Sequence, residues 1–268
     1  MAKKIAPHRI KHLDGTGEPA NLSGLPQQNE ILFVLDSVGW TEFSAAKAPN
    51  IKSLRRVHPA WSHSYYTPPS VEAMFRGALP QPDDRCFWPY GRYSTAGENV
   101  VIPITMRNRG YHTYLMSSNL LISTDEVKAG HNVVSCHKGM FEHCFMNDYK
   151  IMSSEILVDW FLERLEEPFF VFFLVIETHT PYLGKDKRQS TQIQAIEVVD
   201  KAFGKLVKGI RAKKLGHNTR AIVTSDHSEA WTPNNRGNDG HNPRHLRKYI
   251  ANNRMKRLTR VFMARGQI

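Results

Sequence analysis

Three short apolar runs in this chain stop abruptly at ionisable or hydroxyl side chains, and no other feature restricts the fold as strongly. Ile31-Leu32-Phe33-Val34-Leu35 is unbroken and ends at Asp36. Phe169 to Ile176 follows Pro168 and ends at Glu177-Thr178-His179. Ala221-Ile222-Val223-Thr224 leads directly into Ser225-Asp226-His227. Runs this short, without polar alternation, are expected of strands buried on both faces, as in a parallel sheet covered by helices. Tyr114-Leu115-Met116, entered after the turn at Gly110, reads as a further strand.

Between these runs the apolar period changes to that of helices. Ile193, Ile196, Val199, Phe203, Leu206 and Ile210 recur at steps of three and four and form one stripe. Met152, Ile156, Trp160 and Phe161 predict one side of an earlier helix. A short helix is expected after Pro49-Asn50, ending at Leu54. Another is expected around Ile102 and Met106, its first turn weakened by Pro103. Strands alternating with helices predict an α/β fold, a three-layer sandwich around a mostly parallel central sheet. Ligands of such sheets gather beyond the carboxyl ends of the strands. Asp36, His179, Asp226 and His227 all fall at that edge, which predicts a shared site.

The chain of 268 residues is long enough to bury a full α/β core. It divides by pattern into a polar surface segment over 1–28, an α/β domain over 29–245 that carries the candidate site, and a basic segment over 246–268 that is expected to pack on the same domain. The formal net charge of +11 is concentrated late: from Arg236 to Ile268 nine Lys or Arg residues face one acid, Asp239. Such charge suits an anionic substrate. The segment carries no nucleic-acid motif, so dedicated nucleic-acid binding is not expected. No run of eighteen apolar residues is present, so no membrane span is expected, and the basic start lacks an apolar stretch of the secretory kind. Cys86, Cys136 and Cys144 are too few and scattered for a disulfide framework, which points to reduced thiols and a cytoplasmic setting. The spacing of Cys136 and Cys144 with His137 or His143 matches no zinc pattern.

Asp36 and Asp226 offer hard oxygen donors and His227 a borderline nitrogen, a set suited to Zn²⁺ or Mn²⁺ rather than to a calcium cage. Each residue also has a plainer use, Asp36 as a helix cap and His227 as the partner of a buried carbonyl. Thr67 precedes Pro68-Pro69, and a proline at 69 can open a helix. A hydroxyl at that N-terminus sits where free amides and the helix field favour anionic oxygens, and metal coordination would make it a nucleophile. Its plainer use is as a helix cap.

Taken in order, these segments resemble the alkaline phosphatase and sulfatase superfamily, particularly its one-metal, threonine-nucleophile phosphotransferase and phosphohydrolase branch. Ile31 to Ser37 resembles the first metal-ligand strand, and Ala48-Pro49-Asn50-Ile51 the Thr-Pro-Asn-Leu segment after it. Thr67-Pro68-Pro69-Ser70, with Gly77 and Pro80, resembles the nucleophile motif Cys/Ser-x-Pro-Ser…Gly-x-x-Pro. His179-Thr180-Pro181-Tyr182 resembles the His-x-Pro-Tyr/His element, and Thr224 to Glu229 resembles Thr-Ser-Asp-His-Gly-Glu.

The resemblance implies one tightly held Zn²⁺ or Mn²⁺ ion bound by Asp36, Thr67, Asp226 and His227, with a second ion possible. It implies Thr67 as nucleophile, and His179 and His241 as catalytic groups that assist the substrate oxygens or the leaving group, or as partial ligands of that second ion. His245 is a weaker candidate. The implied function is a metal-dependent hydrolase or transferase acting on a phosphate ester or related anionic substrate through a Thr67 covalent intermediate. Non-phosphoryl chemistry on the same fold, or an inactive basic interaction protein, are the alternatives. Departures from the sulfatase pattern argue against sulfate ester hydrolysis. Threonine occupies position 67, Ser37 replaces the second of two paired aspartates, and Ser118 falls near the expected lysine. Ser228 replaces the signature glycine.

Overall fold

A computed structural model of the protein describes residues 27–62, 64, 67–76, 80–81, 94–95, 102–118, 140–146, 154–179, 189–229 and 260–268. The predicted runs are strands. Asn29–Leu35 is β1, and after it come the helices Trp40–Ala45 (α1) and Pro49–Lys52 (α2), then strand Arg56–Trp61 (β2) and helix Thr67–Arg76 (α3). Pro80–Gln81 (β3) and Ser94–Thr95 (β4) form a separate two-stranded ladder. Next come helix Ile102–Asn108 (α4), strands His112–Ser117 (β5) and His143–Met146 (β6), helix Ser154–Arg164 (α5) and strand Phe169–Val175 (β7). Helix Gln189–Ala212 (α6), strand Thr219–Ser225 (β8) and strand Arg260–Gln267 (β9) complete the chain.

The main sheet has seven strands in the order β2-β9-β8-β1-β7-β5-β6. The five from β8 to β6 are mutually parallel, whereas β9 runs antiparallel to both β8 and β2. The pleat sends alternate residues of each buried run to opposite faces. Ile31, Phe33, Leu35, Val171 and Phe173 pack with α5 and α6 on one side. Val34, Leu115, Phe172 and Leu174 pack with Val71 and Phe75 of α3 on the other. Phe33 lies 5.0 Å from Phe173 and 5.5 Å from Phe203 between ring centroids, and Phe75 meets Phe172 edge-on at 4.6 Å. This is the expected α/β sandwich around a mostly parallel sheet.

Some local expectations need correction. The buried face of α5 is Ser154, Leu157, Val158 and Phe161, at helical steps of three and four, while Ile156 is 39% exposed on another side. Helix α2 ends before Leu54. Its first amides are capped from a distance by Asp200 of α6, whose carboxylate accepts from Ile51 N–H at 2.8 Å and from the Asn50 side chain at 2.8 Å. The sequence reading places no strand in the basic segment, yet β9 lies within the sheet and buries Val261, Phe262 and Ala264. Phe262 stacks on Phe43 of α1 at 3.8 Å. No helix among the described residues is long and apolar enough to cross a membrane.

Candidate metal centre

The order of the sheet places β1 between β7 and β8, so the carboxyl ends of all three converge. Asp36 leaves the end of β1, and Asp226 and His227 leave the end of β8. Thr67 is the first residue of α3 and brings its hydroxyl to the same point. Ligand atoms of Asp36, Asp226 and His227 all lie within 4.8 Å of one another, and all three residues are buried. Thr67 Oγ1 stands 3.4 Å from Asp36 Oδ2 and 3.3 Å from His227 Nε2. The four residues named from sequence are therefore one cluster.

Ser37 organises this cluster. Its backbone has φ 66°, in the left-handed region that non-glycine residues seldom occupy. That geometry points its N–H to Asp226 Oδ1 at 2.9 Å, while its hydroxyl donates to Asp36 Oδ1 at 2.7 Å. One oxygen of each carboxylate is thus committed to the scaffold. His227 is oriented similarly, its Nδ1 lying 3.1 Å from the Ser228 carbonyl. A carbonyl can only accept, so Nδ1 carries the proton and Nε2 presents a lone pair toward the carboxylates.

A further layer holds the loops that carry these groups. Ser225 Oγ accepts from Val38 N–H at 2.8 Å and donates to the His227 carbonyl at 2.7 Å. Thr178 Oγ1 donates to the Asp36 carbonyl at 2.6 Å. The Gln192 amide, buried in the first turns of α6, donates to the carbonyls of Ser37 and Thr178. Gly39 belongs to the same packing, because a Cβ there would stand 2.4 Å from both Glu42 Oε2 and Ser228 Oγ. Gln192, Ser225, Thr178 and the structural role of Ser37 were not anticipated from sequence. Hydroxyl residues flanking the ligands were a signal for three of them. Gln192 had none, since it lies 155 residues from its Ser37 partner.

Burial raises the Asp226 carboxyl above the ordinary value of 3.8, and the neighbouring Asp36 carboxylate adds to the rise. His227, the Ser37 amide and Thr67 oppose it. No hydrogen bond of acceptable geometry reaches Asp226 Oδ2 among the described residues, although that atom is fully buried. Two apposed buried carboxylates, an orphaned oxygen and a histidine nitrogen turned toward them are costly for a metal-free interior. The same set fits a divalent cation, with Asp36, Asp226 and His227 as ligands and Thr67 beside them.

His179 stands just past the end of β7, half-buried, its N–H bonded to the Ile176 carbonyl at 2.9 Å. His241, His245, Cys136, the polar segment up to residue 26 and the basic residues of 244–257 lie outside the described residues.

No curated protein matches the chain. Among solved structures, the C-terminal periplasmic domain of EcEptC from Escherichia coli in complex with Zn aligns at 14% identity and a TM-score of 0.58, covering 91% of this chain and 74% of that one. The lipoteichoic acid synthase LtaP from Listeria monocytogenes aligns at 13% identity and a TM-score of 0.59, with coverage of 90% and 65%. BT33336S-sulf, from glycosaminoglycan metabolism in Bacteroides thetaiotaomicron, aligns at 14% identity and 0.62, with coverage of 90% and 72%. At these identities the likeness establishes the fold. The sulfatase family model matches residues 28–256, which contain the whole cluster. The chain belongs to the sulfatase family, within the alkaline phosphatase and sulfatase superfamily.

Proposed function

We propose that the protein is a metal-dependent phosphoesterase or phosphotransferase that uses Thr67 as its nucleophile. The observation that carries this reading is the position of Thr67 Oγ1, buried at the start of a ten-residue helix and 3.3–3.4 Å from His227 Nε2 and Asp36 Oδ2. When bound, a divalent ion supplies positive charge that neutralises substrate oxygens and lowers the pKa of a hydroxyl beside it. Thr67 Oγ1 donates toward Asp36 Oδ2, so that carboxylate is the first acceptor for the hydroxyl proton. The threonine oxygen forms a bond to phosphorus as the ester oxygen leaves, and because Pro68 and Pro69 carry no N–H, the field of α3 rather than a row of amides favours the anionic group. His179 or His241 protonates the departing oxygen. Water or an acceptor then displaces the threonine oxygen and regenerates the enzyme.

The substrate in this reading is a small anionic ester, in keeping with a net charge of +11. A cytoplasmic setting accords with the low cysteine count and the free, exposed thiol of Cys144. Sulfate ester hydrolysis is disfavoured at the residue level. Ser118, near the lysine position of the resemblance, is buried and its hydroxyl accepts the Ile176 N–H at 3.1 Å. The related structures of EcEptC and LtaP, one bound to Zn and one named a lipoteichoic acid synthase, lend weight to the metal and to a transfer reaction.

The test is a screen of phosphate mono- and diesters, phosphonates and sulfate esters with added Zn²⁺ or Mn²⁺, followed by peptide mass analysis of trapped enzyme. A phosphoryl mass on Thr67 is expected. Thr67→Ala should abolish turnover and Thr67→Ser should retain part of it, because the hydroxyl survives. Normal turnover by Thr67→Ala would eliminate the covalent route.

A further inference from the structure

A second group of ligating side chains lies at the opposite end of the sheet. His112 opens β5, His143 opens β6, and Glu166 lies in the connection between α5 and β7. Ligand atoms of these three residues fall within 4.8 Å of one another. Strand β5 separates them from the catalytic edge by about 17 Å, the length of a six-residue strand. The cluster is therefore not an extension of the Asp36 site.

The backbone makes this convergence a built feature. His112 and Tyr114 are two residues apart and project to the same face, and Tyr114 pairs in register with His143 across the parallel ladder. The His143 ring stacks on Tyr114 at 4.7 Å with an interplanar angle of 23°, which fixes its plane. The Tyr114 hydroxyl accepts the Glu166 N–H at 3.0 Å and donates to the Arg164 carbonyl at 3.1 Å. A buried tyrosine thus holds the Glu166 backbone beside the two histidines.

The His112 ring supplies a second, independent indication. Its Nε2 faces Glu166 Oε2 at 3.9 Å, while its Nδ1 faces Glu142 Oε2 at 3.8 Å. Glu142 is itself fixed, its carboxylate accepting the Thr113 N–H at 3.1 Å and its own N–H donating to Thr113 Oγ1 at 3.0 Å. At 3.8 Å Glu142 is in charge contact with Nδ1, and closure to hydrogen-bond distance would give the carboxylate–imidazole pairing that orients metal-binding histidines.

We propose that His112, His143 and Glu166 bind a zinc ion at the amino ends of the strands, with Glu142 orienting His112. Two neutral imidazoles and one carboxylate match zinc preferences and leave a fourth position for water. Tetrahedral donors around zinc are separated by roughly 3.3 Å, against 3.9 Å between His112 Nε2 and Glu166 Oε2 and at most 4.8 Å across the cluster. The Glu166 side chain, 65% exposed, is free to close on His112 Nε2. The ion would tie edge strand β6 and the α5–β7 connection to β5, away from catalysis.

The experiment uses chelator-stripped full-length protein carrying His227→Ala, which disables the catalytic cluster, titrated with Zn²⁺ by calorimetry. One equivalent is expected to bind. Adding Glu166→Gln or His112→Gln should weaken that binding by at least tenfold, and Glu142→Gln by about 10–100-fold. Far-UV circular dichroism checks the fold, and Glu166→Gln, at an exposed position, provides a variant that leaves packing intact. In the otherwise unaltered protein, Glu166→Gln should not change turnover. Absence of zinc binding in the His227→Ala protein, or binding unaltered by Glu166→Gln and His112→Gln, would overturn the assignment and leave His112 as an ion-paired surface histidine.

Discussion

Asp226→Asn should make the metal-free protein more stable while depriving it of metal. Asp36 and Asp226 present carboxylate oxygens within 4.8 Å of each other in a fully buried setting. Two unit charges at that distance repel by about 3.5 kcal/mol at an effective dielectric constant of 20. The Ser37 amide, the Ser37 hydroxyl and His227 offset part of this, leaving a net strain of about 1–2 kcal/mol. Asparagine keeps the shape and can still accept the Ser37 N–H at Oδ1, so the substitution removes repulsion and little else. In a chain of this size, roughly 2–4 °C of melting temperature accompanies each kcal/mol. The metal-free variant should therefore melt about 2–8 °C above metal-free wild type.

The pH dependence of this difference has a definite sign. Asp226 has a raised carboxyl pKa in the native state, so its charge weakens folding above that value and the penalty disappears as pH falls toward 3.8. The advantage of asparagine should be full above the raised Asp226 pKa and fade on acidification from there toward 3.8. Zinc at one hundred times its dissociation constant should then stabilise wild type by about 2.7 kcal/mol more than the variant, reversing the order. Comparing the two proteins cancels any ion bound elsewhere. Scanning calorimetry with and without zinc reads both effects. A metal-free Asp226→Asn protein that melts below wild type, or an equal gain from zinc in both, would refute the claim that the carboxylates are held apposed for a cation.

Other substitutions test the scaffold. Asp200→Ala removes the carboxylate that accepts Ile51 N–H and the Asn50 side chain, and should cost about 1–3 kcal/mol in urea denaturation. Gly39→Ala places a Cβ 2.4 Å from Ser228 Oγ and Glu42 Oε2; it should lower stability by about 1–3 kcal/mol and weaken metal affinity, with Ser228→Gly restoring part of both in thermal melts and metal titrations.

Legibility from sequence followed the range of the interactions. The parallel strands were readable because burial on both faces leaves an uninterrupted apolar run, as in Phe169 to Val175, where every residue is buried. Their carboxyl ends were readable for the same reason, since the first polar residue after each run is a site residue or its neighbour. Edge strand β2 was not readable, because Pro59 and its exposed neighbours lack an apolar period and pairing with β9 forms it. Strand β9 was obscured by the basic residues around it, although Val261-Phe262-Met263-Ala264 carried a short apolar signal. The face of α5 departs from the apolar periodicity because Ile156 is apolar yet exposed and Leu157 is buried in its place. Asp200 and Gln192 act across about 150 residues of chain, and no local pattern announces such a bond.

The absence of a second aspartate at position 37 becomes intelligible once the backbone is seen. A residue at φ 66° between two ligand carboxylates has its N–H aimed at one of them, and its short side chain reaches the other. Serine can donate from both groups, so a single residue anchors Asp36 Oδ1 and Asp226 Oδ1 together. An ionised aspartate there would have no side-chain hydrogen to donate, and would add a third negative charge where burial and the Asp36 carboxylate already raise the Asp226 carboxyl. That arrangement would suit a more highly charged or additional cation. Serine instead leaves one outer oxygen on each carboxylate, Asp36 Oδ2 beside Thr67 and Asp226 Oδ2 3.5 Å from His227 Nε2. His227 completes the group of ligating side chains, with Thr67 Oγ1 3.3 Å from its Nε2. The left-handed backbone at Ser37 thus joins two ligand carboxylates from adjacent parallel strands, and its residue type limits the negative charge gathered there.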